Sequence, residues 1–274
     1  MNEGLKEFRW TGQTHCGRVR RNNEDAFLAL MFDAQEVHYL GKEGEAPAEG
    51  HEFIFAVSDG MGGANAGEFA SRSALQTMTD LISREFHQGS RDSREDREQR
   101  LREFFERAHQ EVQNMGRHYL ECRGMGATLS VGWFSGNTLL IGHVGDSRIY
   151  QIPAKGGMKQ LTEDHTEAGR LRRNESITER EARKHPTRHL LERSIGAQPH
   201  PVEPQIATFP VSPGDQFVLC TDGIIDGVWD NGMEKYIRIP PPYLQDLPPA
   251  QRLVKEAMEA SGRDNLTALV VETR

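Results

Sequence analysis

The chain has 274 residues, 36% hydrophobic and 27% charged, with 33 Lys and Arg against 41 Asp and Glu for a net charge of -8. That length suits one large domain with a sizeable core. The mean hydropathy of -0.66 and the lack of a long apolar run argue against a membrane-embedded role, and the acidic balance argues against general electrostatic binding to nucleic acid. Cys16, Cys122 and Cys220 stand in no zinc-type spacing and read as reduced thiols. The opening residues lack the basic-then-apolar pattern of a secretory signal, so a cytoplasmic location is expected.

Residues 37–50, with Gly, Glu, Pro and Ala, read as an extended loop between hairpin strands. A strand follows over 53–58, then a helix over 66–86, whose start is marked by Asn65 and Glu68, spaced as a capping box just after Gly60, Gly62 and Gly63. A second helix spans the charged run 92–119, where Leu101, Phe104, Phe105 and Ala108 recur at helical spacing. Strands are expected over 138–144, 147–152 and 216–221, each short, apolar and bounded by Gly, Asp or Pro. Residues 240–249 read as an irregular connection, 249–260 as an amphipathic helix and 266–272 as a last strand. Strands at both ends around two long helices do not alternate as βαβ units would, which predicts an antiparallel α+β fold.

The chemistry concentrates in acidic residues at strand edges: Glu24 and Asp25, then Asp59, Asp146, Asp222 and Asp264. Two apolar runs, ending at Asp59-Gly60 and at Asp222-Gly223, share one design, in which the glycine is expected to let the backbone turn sharply and expose the carboxylate. One Asp-Gly pair is an ordinary turn; its repetition is not. Several carboxylates converging from separate strands repel unless cations neutralise them, and all-oxygen donors suit Mg²⁺ or Mn²⁺ rather than zinc. Competing motifs fail: there is no complete GxGxxG, no GxxxxGK[ST], no EF-hand run, no closely paired aspartates for an aspartyl-phosphate and no GxSxG elbow. A metal-activated water is left as the nucleophile.

Seven blocks resemble the metal-dependent PP2C-type (PPM) serine/threonine protein phosphatases, in wording the bacterial branch. They are Gly17-Arg-Val-Arg20-Arg-Asn-Asn-Glu24-Asp25, Val57-Ser-Asp59-Gly60-Met61-Gly62-Gly63, Gly126-Ala127-Thr128, Gly142-His-Val-Gly145-Asp146-Ser147-Arg148, Leu161-Thr-Glu-Asp-His165, Leu219-Cys-Thr-Asp222-Gly223 and Gly262-Arg-Asp264-Asn265, in family order. The resemblance implies a four-layer αββα sandwich of two antiparallel sheets flanked by helices, with residues 1–274 as a single domain and a flap at about 166–195. It implies that Asp59 bridges two ions, that Glu24 and the Gly60 carbonyl complete one of them, and that Asp222 and Asp264 hold the other. Asp146 with Asp222 matches a third, weaker metal position, Asp25 orients water behind the ions, and the Asn265 side chain supports the Asp264 end. Arg20 matches the phosphate-binding arginine, a role its planar, permanently charged fork suits.

One departure is Met61, where eukaryotic members carry a histidine proposed to protonate the leaving alkoxide; the acid is then unassigned, with a metal-held water as the expectation. His143, inside an apolar strand, reads as a core residue, and His165 is given no chemical role. The flap carries eight Arg or Lys against five Glu, so a basic element facing an anionic substrate is expected to set preference.

The implied function is hydrolysis of phosphoserine and phosphothreonine in proteins by a monomeric enzyme that uses two Mn²⁺ or Mg²⁺ ions and forms no phosphoenzyme. Its partners are then phosphoproteins made by an opposing kinase, with no nucleic acid and no membrane. The rivals are a catalytically inactive relative that binds phosphoproteins, against which the complete ligand set stands, and a phosphatase of a small phosphorylated metabolite.

Overall fold

The computed structural model describes residues 4–62, 66–85 and 93–274; Gly63, Asn65, Phe86 and Asp92, on which parts of the expected glycine motif, cap and helix ends fall, lie outside them. Five strands come first: β1 (Glu7–His15), β2 (Asp25–Phe32), β3 (Val37–Tyr39), β4 (Glu43–Pro47) and β5 (Glu52–Met61). Helices α1 (Ala66–Glu85) and α2 (Arg94–His118) follow, the latter opened by a reciprocal Ser93–Asp96 capping box. Strands β6 (Gly126–Ala127), β7 (Leu129–Ser135), β8 (Thr138–Val144), β9 (Arg148–Ile152) and β10 (Lys159–Gln160) lead to two short helices, α3 (Glu167–Arg173) and α4 (Glu179–Ala182). The chain closes with β11 (Gln205–Pro210), β12 (Gln216–Cys220), α5 (Asp222–Gly227), α6 (Asp230–Arg238), α7 (Pro249–Ala260) and β13 (Leu266–Thr273).

The strands form two sheets, ordered β10-β9-β12-β13-β1-β4 and β11-β8-β7-β5-β2-β3, with β6 paired to β5. Every pairing is antiparallel. The period of two along each strand then builds the layers. Phe53, Phe55 and Val57 of β5 face inward and meet Phe8, Phe134, Phe217 and Leu269 between the sheets. Ile54 and Ala56 point the other way, under Met78 of α1 and Leu101 and Phe105 of α2. On the far side, Val218, Cys220 and Val270 pack beneath Ile224, Leu253 and Ala257 of α5 and α7. Each such apolar side chain contributes about 1.5–3 kcal/mol by leaving water. The chain thus forms the expected α+β sandwich of two antiparallel sheets flanked by helices.

Two expectations are corrected. Residues 37–50 are not one hairpin loop: β3 pairs with β2 in one sheet and β4 with β1 in the other, so this stretch crosses between layers. Nor does the chain turn at Asp59-Gly60, because β5 runs on through Met61 and pairs with β6, while Asp222-Gly223 opens α5.

Candidate metal centre

The register of two neighbouring strands sets the first carboxylates side by side: Asp25, at the start of β2, pairs directly with Asp59 of β5. Glu24 immediately precedes β2 and is held by its backbone, its N–H donating to Asn265 Oδ1 at 2.8 Å and its carbonyl accepting from Gly60 N at 3.1 Å and Ser71 Oγ at 2.6 Å. Asp59 is clamped through Thr128, whose Oγ1 accepts from Asp59 N at 2.9 Å and whose N–H donates to the Asp59 carbonyl at 2.8 Å. Asp146 lies between β8 and β9, Asp222 follows β12, and Asp264 precedes β13.

Glycine at 60 and 223 answers to close approach, not to a turn, for neither has a positive φ. A Cβ on Gly60 would lie 1.9 Å from the Gly67 carbonyl oxygen, and one on Gly223 would lie 1.9 Å from that of Asn265. Any side chain would force apart the segments that carry Glu24, Asp59, Asp222 and Asp264.

A cavity of about 360 Å³ is lined by Arg20, Glu24, Asp59, Gly60, Asp146, Asp222, Asp264 and Asn265, with Met61 and Thr128 beside them. Asp25 is the one expected site residue outside this lining. It sits behind Asp59, 7% exposed, with Oδ2 accepting from Thr221 Oγ1 at 2.8 Å. Burial, reinforced by Asp222 and Asp264 and opposed by the Thr221 and Thr267 hydroxyls, pushes its carboxyl up to about 7. Asp59 is pushed well above its usual range by burial and then by Asp25, Asp222, Asp146 and Asp264. Asp146 is raised by burial and by Asp222, and Glu24 by burial, with Arg20 opposing. These mutual effects place the carboxylates within one electrostatic cluster. Arg20 Nη2 pairs with Asp264 Oδ2 at 2.8 Å, half in solvent.

His189 was not foreseen. Its Nδ1 lies 3.4 Å from Asp222 Oδ2, which raises the imidazole above its ordinary value. Among the described residues, the donor atoms of Asp146, His189 and Asp222 lie within 4.8 Å of one another. No spacing in the sequence points to His189, since it reaches the cavity through the packing of residues 166–195 against α5.

The donor set fits hard divalent cations. Asp25 Oδ1 and Asp222 Oδ1 are buried with no hydrogen-bond partner, a costly state that a coordinated cation and its water would relieve. Five carboxylates share the cavity with one arginine and one histidine, and oxygen donors of that kind are the chemistry Mg²⁺ and Mn²⁺ select.

The protein phosphatase 2C family model matches residues 46–267. The chain belongs to this family. It is 31% identical over 97% of its length to the serine/threonine protein phosphatase PstP of Mycobacterium tuberculosis, of which it spans 45%, about half. It is 29% identical over 97% of its length to the serine/threonine phosphatase stp of Listeria monocytogenes, of which it spans 94%. The solved catalytic domain of PstP in complex with two manganese ions superposes with a TM-score of 0.74 at 28% identity, over 97% of this chain and 98% of that one.

Within this protein phosphatase 2C fold, one expectation takes a different form. The Asn265 side chain does not serve Asp264: its Oδ1 holds Glu24 N, and its Nδ2 donates to the carbonyls of Cys16 at 3.0 Å and Asn22 at 2.9 Å, so it ties the loop between β1 and β2 to β13. Only its backbone N–H reaches Asp264 Oδ1, at 2.9 Å. Met61 lines the cavity, and a thioether has no proton to give. His143 is fully buried, bonded to Ser130 Oγ at 2.8 Å and lowered by burial to about 4, as suits a core residue. His165 stacks on it at 5.0 Å and accepts from Gly145 N.

Three of the eight Arg and Lys side chains in residues 166–195 pair with acids of this chain within 3.3 Å. Arg172 pairs with Asp230 at 2.8 Å and Arg173 with Glu163 at 3.3 Å. Arg183 pairs with Glu179, donates to the Ile225 and Val228 carbonyls and lies 4.3 Å from the centroid of the Trp229 ring. The contacts of Arg172 and Arg183 tie residues 166–195 to α5, to α6 and to the Val228 carbonyl between them.

Proposed function

We propose that residues 1–274 act as one phosphatase domain, with residues 166–195 as its flap, hydrolysing phosphoserine and phosphothreonine in proteins without a phosphoenzyme. The observation that carries this reading is the convergence of Glu24, Asp59, Asp146, Asp222 and Asp264 in one cavity with Arg20 beside them, in a chain of this family. Asp59 would bridge two Mn²⁺ or Mg²⁺ ions, with Glu24 and the Gly60 carbonyl on one side, Asp222 and Asp264 on the other, and Asp146 with Asp222 at a third position. Bound there, the ions supply Lewis-acid activation of a water and neutralise the clustered carboxylates.

The chain's own groups do the rest. Arg20, half exposed and on a flexible stem, leaves Asp264 to grip two phosphate oxygens through its planar fork. Asp25, behind Asp59 with Oδ2 fixed by Thr221 and Oδ1 free of any partner, would orient the water held at the ions from outside the cavity lining. His189 and Leu191 of the flap close one side of the cavity. The substrates are phosphoproteins supplied by a serine/threonine kinase, in the cytoplasm; among the described residues no helix is long and apolar enough to cross a membrane.

The test is phosphate release from a phosphothreonine peptide with Mn²⁺, with Mg²⁺ and with a chelator, beside Asp222→Asn and a sugar phosphate as alternative substrate. Release is expected with either metal, lost with chelator and in the variant. Chelator-resistant release, faster turnover of the sugar phosphate, or a folded protein inert under every metal would each refute the reading.

A further inference from the structure

A second cavity, of about 550 Å³, opens between the last turn of α2, the turn over residues 120–125 and the segment 196–199. Its walls are preformed. Gln113 Nε2 donates to the Gln198 carbonyl, and His109 Nδ1 accepts from Gly196 N at 3.0 Å, so helix and segment are joined beneath the groove. Among the described residues its lining carries Arg117, His118 and Arg123, all exposed, and no carboxylate. Glu121, the nearest acid in sequence, sits on the turn outside the lining. In a chain of net charge -8, this is a local reversal of sign. Leu120, 81% exposed, and Tyr119, 55% exposed, add apolar surface at the rim.

The groove adjoins the metal centre. Met61 and Gly62 line the catalytic cavity, and Met61 pairs across β5 and β6 with Gly126. Met125 and Ala197 line the groove. A Cβ built on Gly126 would touch Met61 Cε at 2.9 Å and Ala197 Cβ at 2.8 Å, and one on Gly62 would come within 3.4 Å of Met125 Cα. One residue of β6 therefore separates the two linings, so residues a few positions from a phosphorylated residue held in the first would lie within reach of the second.

Resting on the phosphatase reading above, we propose that this groove binds the acidic residues that flank the phosphorylated residue of a protein substrate, with Arg117 and Arg123 as the groups that select them. Charge complementarity favours that occupant: two cations without a carboxylate in the lining attract acidic flanks and leave neutral ones to the apolar rim. Electrostatic selection of this kind acts on KM and on salt dependence more than on the chemical step.

The experiment compares two phosphothreonine peptides, one with Glu-rich flanks and one with neutral flanks, and p-nitrophenyl phosphate, which is too small to reach the groove. The parent is expected to show a KM about fivefold lower for the acidic peptide, the yield of two exposed ion pairs, eroding as ionic strength rises. In Arg117→Glu/Arg123→Glu that preference disappears while turnover of p-nitrophenyl phosphate stays at the parent level. Arg117→Gln/Arg123→Gln, which adds no negative charge at the end of α2, serves as the second variant should the first fold poorly. An acidic-peptide preference retained in the variants, or absent from the parent, overturns the groove assignment while leaving the phosphatase reading intact. A parent inactive on all three substrates with Mn²⁺ instead refutes the phosphatase reading, and the groove assignment falls with it.

Discussion

Asn265→Ala tests whether the metal centre depends on a strut between distant parts of the chain. The side chain is 4% exposed and makes three hydrogen bonds, to Glu24 N and to the Cys16 and Asn22 carbonyls, at 2.8, 3.0 and 2.9 Å. At about 1 kcal/mol net for each bond the variant loses about 3 kcal/mol, and more where the Glu24 N–H is left without an acceptor. For a protein of this size that lowers Tm by roughly 5–10 °C. Because Glu24 then loses its anchor, Mn²⁺ affinity is expected to fall roughly 10- to 100-fold, as when other groups that orient metal ligands are removed. Thermal melts in chelator give the first quantity, and titration calorimetry with Mn²⁺ gives the second. Asn265→Asp keeps an acceptor for Glu24 N but turns a carboxylate oxygen toward two carbonyls, so it should be no better than alanine. An Asn265→Ala protein that melts with the parent and binds Mn²⁺ equally well would refute the strut.

Two further outcomes follow from buried charge. The Asp25 carboxyl, raised from 3.8 to about 7, and Asp59 and Asp146, raised likewise, hold protons more tightly folded than unfolded. Their contribution to stability is full below the ordinary carboxylate value and is lost as pH climbs through the raised one. The metal-free protein should therefore lose on the order of 4 kcal/mol from Asp25 alone between about pH 4 and 7. The Tm gain on adding Mn²⁺ should grow over the same interval; urea midpoints that rise with pH in chelator would contradict this. Asp164→Asn breaks the buried pair in which Arg148 Nε meets Oδ1 at 2.9 Å and Nη2 meets Oδ2 at 2.6 Å. Apart from the amide, the guanidinium then keeps only the Tyr150 hydroxyl at 2.9 Å and Asp230 at 3.9 Å, so the loss should approach the roughly 3–5 kcal/mol of a broken buried pair in urea unfolding, and an unchanged midpoint would show the pair to be dispensable.

How much was legible beforehand depended on how local each signal was. Strands β5, β8, β12 and β13 announce themselves because they lie between two packed layers, so both faces are largely apolar, as from Phe53 to Val57, whereas β9 carries Arg148 and Gln151 among its apolar residues. The long helices show their inward stripe for the same reason. Strand β4 alternates between exposed and half-buried residues, and its identity comes from pairing with β1, which no pattern within residues 43–47 contains.

The carboxylates that gather at the centre were all nameable from sequence, because each ends or begins an apolar run and stands in a family block. What they do to one another was decided by tertiary structure. Asn265 reaches Glu24 across 241 positions of sequence, and His189 meets Asp222 through the packing of residues 166–195 against α5 and α6, to which Arg172 and Arg183 contribute. Local sequence determines which side chains arrive at a strand end and with what chemistry; the hydrogen bonds, ion pairs and buried neighbours that set their proton affinity are made between segments far apart in the chain, and exist only once the layers have packed.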